Sequence, residues 1–258
     1  MRTRLFAALA ALLVAVGLSA PAAAIRDGQP DNGAHPYVGL VVFYYDSSGA
    51  PTHRCSGTMI SSTTLLTAGH CTVGTASAQV WFNEHVTLDT GYPFTGGITG
   101  STVTYPGFGF ENFPNTGDIG VVLLDAAPGV GSASIAGVGT LDSLATQRGR
   151  QNVNFDVVGY GLQEVKPTEM AERSRLKANV KLVNLRSALT DGFNIHHTNA
   201  PGTGGGTCFG DSGGPVFSQG TSTIVAVTSF GLNQNCAGSG FGYRVDTSEA
   251  AAFINQYI

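Results

Sequence analysis

Three residues that lie far apart in the chain have the types that nucleophilic catalysis requires. Ser212 lies in the segment CFGDSGGP, His70 in TAGHC and Asp118 in GDIGVVLL. A serine hydroxyl is a poor nucleophile near neutral pH, so it needs a base within hydrogen-bond reach and a third group that holds the base in the right tautomer. Each of these residues, taken alone, is explained equally well by a purely structural role. Together, the three predict acyl transfer, in which a serine attacks a carbonyl carbon.

The order of these residues excludes one common arrangement of a catalytic serine. The segment GDSGG matches the pattern G-x-S-x-G, which in α/β-hydrolases marks a nucleophile whose histidine follows it in the chain. No histidine follows Ser212, because the last two are His196 and His197. The chain also lacks the alternation of strands and helices that such an enzyme needs. The remaining possibility is a catalytic triad whose members occur along the chain in the order histidine, aspartate, serine.

The elements that must position these residues are predicted to be short β-strands. Many short β-branched segments separated by Gly, Pro, Asn and Ser indicate an all-β barrel or sandwich. One helix is predicted at the end of the chain, with Asp246 as its cap and Glu249 three residues later. The predicted strands are 37–45, 57–60, 64–67, 78–82, 119–124, 153–159, 178–185, 215–217, 224–230 and 242–245.

A linker is predicted near the middle of the chain. The segment 126–137, AAPGVGSASIAG, is small and uncharged, and it separates two halves of ordinary domain size. We therefore expect an N-terminal unit at 25–137, which carries His70 and Asp118. A C-terminal unit at 138–258 would carry the serine and the terminal helix.

The first 24 residues have the composition of a secretory signal peptide. A basic start, MRTR, is followed by an apolar run at 5–18 and by small residues at an A-x-A site. Cleavage after Ala24 would make Ile25 the first residue, so we expect an extracellular protein. Cleavage after Ala24 removes two arginines and no acidic residue, which changes the formal net charge from −4 to −6. The mildly acidic balance argues against nucleic acid or a membrane surface as partner.

The four cysteines are expected to form disulfides. Cys55, Cys71, Cys208 and Cys236 allow three pairings, and an even number in an exported protein is typical of disulfide bonding. Their clustering favours Cys55–Cys71 and Cys208–Cys236. No C-x-x-C pair is present, so a zinc site is not expected.

Taken together, these segments resemble the chymotrypsin–trypsin family of serine peptidases. TAGHC, DIGVVLL and CFGDSGGP are similar to the three signature blocks of the family, and VVGYG (157–161) and SFG (229–231) resemble two further segments. The resemblance extends over 25–245, and the terminal helix has a counterpart. It implies two packed six-stranded antiparallel Greek-key β-barrels with the active site between them, and the same two disulfides, Cys55–Cys71 and Cys208–Cys236.

The resemblance also implies a role for each residue of the motifs. Ser212 is similar to the nucleophile of the family, His70 to its general base and acid, and Asp118 to the carboxylate that orients the histidine. The backbone N–H groups of Gly210 and Ser212 would form the oxyanion hole. One such donor is typically worth about 3–4 kcal/mol in the transition state.

Asp211 resembles the residue that forms an ion pair with a freed N-terminal amine in this family. Here the amine would belong to Ile25, because Ile25-Arg26-Asp27-Gly28 is a degenerate version of the I-V-G-G-like start of the family. We expect removal of the signal peptide to create this N-terminus directly, with no pro-segment.

The residues expected to form the primary specificity pocket carry no charge. By resemblance, Gly206 lies at the base of the pocket, six residues before the nucleophile, and Thr207, Ser229 and Gly231 line its wall. An open neutral pocket favours large apolar or aromatic side chains over Lys or Arg.

One feature of the pocket stays open at the level of sequence. In GFGYRV (240–245), either Gly240 or Phe241 borders the pocket. If it is Phe241, the pocket narrows and favours small side chains.

The leading interpretation is a secreted, monomeric serine endopeptidase that acts on protein or peptide substrates, needs no cofactor or metal, and is a target for protein inhibitors. The pair His196–His197 is expected in a surface turn rather than at a metal site. Two alternatives are kept. One is a catalytically silent binding protein on the same fold, and the other is an esterase-like acyl hydrolase that uses the same residues.

Overall fold

Two closed β-barrels make up most of the described chain. The structure is a computed structural model. It describes residues 25–46, 49–145, 152–165, 169–199 and 204–258, so the predicted signal peptide at 1–24 lies outside the described residues. No helix in this part of the chain combines the length and apolarity needed to span a membrane.

The elements are short, as expected for an all-β chain with many turns. In chain order the strands are β1 (Gln29–Pro30), β2 (Val38–Tyr44), β3 (Pro51–Met59), β4 (Thr64–Thr67), β5 (Ser77–Trp81), β6 (Ile98–Thr104), β7 (Gly120–Leu124), β8 (Ser134–Ile135), β9 (Asn154–Gly159), β10 (Leu176–Asn184), β11 (Asn194–Asn199), β12 (Pro215–Ser218), β13 (Thr223–Gly231) and β14 (Gly238–Arg244). The helices are α1 (Gly69–Thr72), α2 (Asp142–Ala145) and α3 (Ser248–Ile254).

The first barrel closes in the order β2–β3–β4–β7–β6–β5, and every pairing in it is antiparallel. Strand β2 is buried on both faces, which explains why it reads as one apolar run rather than as an alternation. Val41 and Phe43 point into a cluster with Leu65 and Val80 of the same barrel. The opposite face of β2 packs in a cluster that also contains Phe217 of the second barrel.

The second barrel closes in the order β9–β10–β11–β14–β13–β12, because β9 pairs with both β10 and β12. Its interior contains Phe155, Val157, Val180, Ile195 and Val225. The predicted fold of two six-stranded antiparallel barrels with a C-terminal helix is therefore confirmed.

Short segments cross between the two halves of the chain. Strand β1, near the start, pairs with β10 of the second barrel, and β8 pairs with β13. In the other direction, α3 packs on the first barrel through Phe253, whose ring centroid lies 5.4 Å from that of Tyr105. These crossings hold the barrels against each other and so define the groove between them.

A buried ion pair also fixes the contact between the barrels. Arg175 Nε lies 2.9 Å from Asp31 Oδ2, and its Nη1 donates to the carbonyl oxygens of Val38 at 3.2 Å and Phe82 at 3.0 Å. Because both charges are buried and supplied with hydrogen bonds, removal of one partner would leave an uncompensated charge.

The predicted cap of the terminal helix is wrong by one residue. Thr247 is the N-cap, since its side chain accepts a hydrogen bond from the N–H of Ala250. Asp246 instead forms a buried ion pair with Arg244, with 2.7 Å between Nε and Oδ1. Asp and Thr are both common N-cap residues. Here Arg244, the last residue of β14, binds Asp246, so Thr247 is the residue that is free to cap the helix.

The expectation of a surface turn at His196–His197 is also wrong. Both residues lie in β11, which pairs with β10 and β14. His197 is fully buried. Asn is depleted in strands, and only Ile195 and Thr198 of the segment NIHHTN favour one, so the strand signal is weak and the pairing with its neighbours decides the structure.

Candidate active site

Two elements of the first barrel bring His70 and Asp118 together. His70 lies in α1, directly after β4, and its neighbour Cys71 is bonded to Cys55 of β3. Asp118 lies just before β7 and is fully buried. The ring Nδ1 of His70 lies 2.9 Å from Oδ2 and 3.1 Å from Oδ1 of Asp118, and the backbone N–H of His70 donates to Oδ1 at 2.8 Å. The carboxylate therefore fixes both the orientation and the tautomer of the ring.

The two groups shift each other's pKa in opposite directions. Burial acts to lower the pKa of His70, but the charge and the hydrogen bond of Asp118 outweigh it, so this pKa is raised above 6.5. Burial acts to raise the pKa of Asp118, but the charge of His70 and hydrogen bonds from His70 and Ser229 bring it below 3.8. Asp118 is therefore ionised at neutral pH, where it can stabilise a protonated imidazole.

A hydroxyl group from the second barrel completes the surroundings of Asp118. Ser229 Oγ donates a hydrogen bond to Asp118 Oδ2 at 2.5 Å. The sequence analysis places Ser229 in the wall of the pocket and gives it no contact with Asp118. The two residues are 111 positions apart, so no local pattern could have revealed this contact.

The loop around Ser212 turns sharply at two glycines. Gly210 has a φ of 92° and Gly213 a φ of 75°, a left-handed conformation that residues with a Cβ rarely adopt. Ser56 of β3 holds the loop from the first barrel. Its N–H donates to the carbonyl oxygen of Ser212 at 2.8 Å, and its Oγ donates to that of Gly210 at 3.0 Å.

Two backbone N–H groups of this loop remain available. The N–H groups of Asp211, Gly213 and Gly214 donate to carbonyl oxygens. Within the described residues, those of Gly210 and Ser212 donate to no other group. Neighbouring donors of this kind can bind an oxygen atom that carries negative charge.

His70 and Ser212 line the same cavity, which has a volume of about 470 Å³. Over the described residues, no hydrogen bond joins the two side chains. Such bonds are often long in the absence of substrate and tighten when it binds. No acidic side chain in the described part of the chain lines the cavity. The predicted pocket residues that line it are Thr207, Ser229 and Gly231.

Asn199 fills the space beside Gly206, the residue expected at the base of the pocket. Gly206 is buried and does not line the cavity. A Cβ added to it would lie 1.8 Å from Asn199 Oδ1 and 2.7 Å from Asn199 Cα. Asn199, of which 2% is exposed, lines the cavity instead. The sequence analysis missed this residue because it belongs to no motif and comes from β11, a strand that the analysis did not predict.

Gly240 and Phe241, the two alternatives beside the pocket, have different neighbours. Phe241 is fully buried, does not line the cavity and stacks on Phe230 with ring centroids 4.4 Å apart. A Cβ added to Gly240 would lie 2.9 Å from Thr207 Oγ1 and 2.4 Å from His197 Cε1. Phe241 therefore supports the cavity wall from behind, and the missing side chain at Gly240 leaves room for Thr207 and His197.

Asp211 is fully buried beneath the loop, and it forms no ion pair within the described residues. Its carboxylate accepts hydrogen bonds from the N–H groups of Gly161 and Cys208, both at 2.8 Å. Burial outweighs these bonds and the attraction of Arg54, so the pKa of Asp211 is raised from 3.8 to about 7. A cation beside this carboxylate would relieve the unfavourable burial of its charge.

Ile25 lies in the same part of the fold as the loop but does not pair with Asp211. It is fully buried, and the next residue, Arg26, accepts a hydrogen bond from the N–H of Gly206 at 2.9 Å. Here the nitrogen of Ile25 is still bonded to Ala24, so it carries no charge.

Two disulfides support the site. Cys55–Cys71 lies beside His70, and Cys208–Cys236 joins two segments of the cavity wall. Among the described residues, one group of side chains is compact enough to surround a metal ion, and it consists of Cys55, His70 and Cys71. Its sulfurs are bonded to each other and are therefore not thiolate ligands.

Comparisons with known proteins identify the family and the fold of the chain. The family model described as Trypsin matches residues 25–254. The chain is 26% identical over 256 residues to trypsin alpha of Drosophila melanogaster, which covers 95% of this chain and 94% of that protein. It is 28% identical over 198 residues to trypsin beta of Drosophila erecta, which covers 74% of this chain and 72% of that protein. A solved structure titled HL collagenase covers 90% of this chain and 97% of its own, with a TM-score of 0.69 and 18% identity, and so shares the fold.

Proposed function

Because this chain belongs to the trypsin family and is a trypsin-like serine endopeptidase, we propose that it cleaves protein substrates with Ser212 as nucleophile, His70 as general base and acid, and Asp118 as the orienting carboxylate. One observation carries this proposal: His70 is hydrogen-bonded to buried Asp118 and lines the same cavity as Ser212. The proposed units at 25–137 and 138–258 must meet to form this site. Since one chain supplies all three groups, we propose a monomer.

In the acylation step, Ser212 Oγ attacks the substrate carbonyl carbon while His70 Nε2 accepts the hydroxyl proton. The N–H groups of Gly210 and Ser212 donate to the carbonyl oxygen as it becomes negative. His70 then gives the proton to the amide nitrogen, and the C–N bond breaks. The amine departs, and the acyl group stays on Ser212 as an ester. Asp118 remains ionised throughout and stabilises the protonated His70.

The deacylation step uses the same groups with water in place of the amine. His70 accepts a proton from a water molecule whose oxygen attacks the ester carbonyl carbon. His70 then returns the proton to Ser212 Oγ as the C–O bond breaks, and the carboxylic acid leaves.

The cavity beside Ser212 is the proposed binding site for the acyl-side residue, the one whose carbonyl is attacked. A buried Lys or Arg side chain would need a negative partner, and no acidic side chain of the described residues lines this cavity. A Cβ added to Gly231, on the wall, would meet only Ser239 O at 3.8 Å, so this wall is open. We therefore assign a neutral side chain to the pocket in preference to a cation.

Export and activation complete the proposal. The signal-peptide pattern at 1–24 and the two disulfides support an extracellular location. Cleavage after Ala24 would free the amine of Ile25, and the buried carboxylate of Asp211 would gain the cation that it lacks. Extracellular protein inhibitors that occupy the cavity are the proposed regulatory partners.

The test is cleavage of a mixed peptide library by the purified protein, with the cleaved bonds identified by mass spectrometry. The matched control is Ser212→Ala, which removes one oxygen atom. We expect cuts that vanish in the variant, with few after Lys or Arg. Cuts that persist in the variant would contradict the role of Ser212. Sequencing the N-terminus of the active protein tests the start at Ile25.

A further inference from the structure

Asp118 lies at the centre of a tight backbone turn. The N–H of Ile119 donates to the carbonyl oxygen of Gly117 at 2.7 Å, so Asp118 is the middle residue of the turn. Ile119 is anchored in the first barrel, because it is fully buried and its carbonyl oxygen accepts a hydrogen bond from the N–H of Tyr105 at 3.0 Å. The other end of the turn is the last residue of the segment 113–117, so the position of Asp118 also depends on what holds this segment.

Two residues of the second barrel bind the segment 113–117. The phenol of Tyr243 donates to Asn115 Oδ1 at 2.6 Å, and Asn194 Nδ2 donates to the carbonyl oxygen of Pro114 at 2.8 Å. Tyr243 and Asn194 lie opposite each other in the paired strands β14 and β11, and both are buried. The second barrel therefore presents two neighbouring, well-packed donors to the segment that precedes the turn.

The phenol of Tyr243 acts close to Asp118. Its oxygen also interacts with the backbone of Gly117, the residue directly before Asp118. Burial and the negative charge of Glu249 raise the pKa of the phenol above 10, and the charge of Asp118 adds a smaller effect in the same direction. The hydroxyl group therefore keeps its proton at neutral pH and remains a hydrogen-bond donor.

The terminal helix orients the amide of Asn115 from its other side. Asn115 Nδ2 donates to Glu249 Oε2 of α3 at 3.5 Å. Because a carboxylate only accepts, this contact assigns the NH₂ group to that side and leaves Oδ1 for the phenol of Tyr243. A chain of hydrogen bonds therefore connects the second barrel and its helix to the loop that carries Asp118.

We propose that Tyr243 is a positioning residue for the reaction, and that its hydrogen bond to Asn115 holds the carboxylate of Asp118 in place beside His70. The carboxylate contacts the ring Nδ1 at 2.9 and 3.1 Å, a geometry that a shift of the turn would disturb. Ser229 bonds the carboxylate itself, whereas Tyr243 acts on the backbone that carries it. This inference rests on the proposed roles of His70 and Asp118 and deepens them.

The kinetic test uses Tyr243→Phe, which removes the hydroxyl group and keeps the ring. With a peptide that the unmodified protein cleaves in the library experiment, we expect kcat to fall by about 10- to 100-fold and KM to change by less than about twofold, because misplaced catalytic groups slow the chemical step without weakening binding. Tyr44→Phe is the matched control, because Tyr44 is also buried and its hydroxyl group donates to the carbonyl oxygen of Pro93, in another loop of the first barrel. It should lose a comparable amount of stability in urea and leave kcat unchanged.

A second variant, Asn115→Ala, removes the same hydrogen bond from its other partner. Asn115 is only partly buried and lies in a loop, so this variant keeps the test valid if Tyr243→Phe fails to fold. Because both changes break one contact, the double variant should lose no more kcat than the more severe of the two single variants. Strict additivity of the two losses would overturn the proposal, and so would a kcat of Tyr243→Phe equal to that of Tyr44→Phe.

An NMR titration of the His70 ring in the Ser212→Ala background separates this inference from the catalytic proposal, because it needs no cleavage. Asp118 raises the pKa of His70 against the effect of burial. A carboxylate that is less well placed should raise it less, so adding Tyr243→Phe should lower the pKa of His70, and adding Tyr44→Phe should leave it unchanged. A lower pKa supports the positioning role even if no peptide is cut. The same pKa with and without Tyr243→Phe would overturn it.

Discussion

The amide oxygen of Asn199 lies 1.8 Å from the point where a Cβ of Gly206 would be, so these two positions compete for one space. While asparagine occupies position 199, a side chain at position 206 forces one of the two residues to move. Asn199, from β11, lines the cavity, and Gly206, in the loop before the serine, does not.

The first prediction concerns this shared space. Gly206→Ala should lower the free energy of unfolding by about 1–3 kcal/mol, because overpacking at a tight buried site forces its neighbours to move. The measurement is the urea midpoint in the Ser212→Ala background, which prevents self-digestion. Gly137→Ala is the control, because the nearest atom to its added Cβ is 4.0 Å away.

Asn199→Gly should relieve part of that cost. It removes the contacts at 1.8 and 2.4 Å but leaves Asn199 Cα at 2.7 Å from the added Cβ. The double variant should then be more stable than the sum of the two single changes predicts, since residues in contact are not additive. Strict additivity would show that the two side chains do not compete.

The second prediction concerns Asp118 and the pH dependence of activity. Asp118→Asn should lower kcat by about 10⁴-fold, the size of loss that this change causes in serine-peptidase triads. In the unmodified protein, kcat/KM should rise with pH through an apparent pKa above 6.5, because His70 must be neutral to accept the proton and Asp118 raises its pKa.

In Asp118→Asn, the rise of kcat/KM with pH should move to lower pH, because burial then lowers the pKa of His70 without the opposing charge of the Asp118 carboxylate. Measured pH profiles of both proteins decide the matter. If kcat/KM rises at the same pH in both proteins, the group whose titration controls activity is not His70.

The third prediction concerns the hydroxyl of Ser229. Ser229→Ala should cost about 1.5–3 kcal/mol of stability, because buried Asp118 loses a hydrogen bond to its charged oxygen. It should also lower kcat, since the carboxylate that orients His70 is less firmly held. Ser229→Thr keeps the hydroxyl group and should retain most of both properties. Equal losses in the two variants would point to packing rather than to the hydrogen bond.

The fourth prediction concerns Asp211 in the full-length chain. Its folded pKa of about 7 lies above the ordinary value of 3.8, so its contribution to stability is complete below pH 3.8 and is lost as pH rises through 7. Between pH 4 and 8, full-length Ser212→Ala should therefore lose stability relative to the same protein with Asp211→Asn.

In protein that begins at Ile25, the free amine should pair with Asp211, and Asp211→Asn should then be the destabilising change at pH 8. Urea unfolding at several pH values measures both effects. Identical pH dependence with and without Asp211→Asn would contradict the raised pKa.

The sequence predicted those strands whose own residues carry the signal. β2 and β13 are rich in Val, Ile and aromatic residues, and each was predicted within one or two residues. β6, with the sequence ITGSTVT, and β11, with NIHHTN, were missed. These strands contain Gly, Ser, Asn or His, and they are strands because partners on both sides complete their hydrogen bonding.

The residues of the site fall into the same two groups, those that a local pattern predicts and those that only the fold brings together. The motifs around His70, Asp118 and Ser212 are local, because tight turns and the neighbouring disulfide or strand demand particular residues at fixed offsets. The contact of Ser229 with Asp118 and the place of Asn199 beside Gly206 join segments from different strands or loops. Nothing in the segments themselves encodes those distances.

The sequence by itself therefore determined the fold class and the chemistry for which the three motif residues are suited, because short-range constraints on backbone and side chain leave a readable pattern. Tertiary structure alone decided which side chains share the cavity and which hydroxyl group reaches Asp118. Both depend on the pairing of β11 with β10 and β14 and on the packing of two barrels, where contacts form between residues that are distant in the chain.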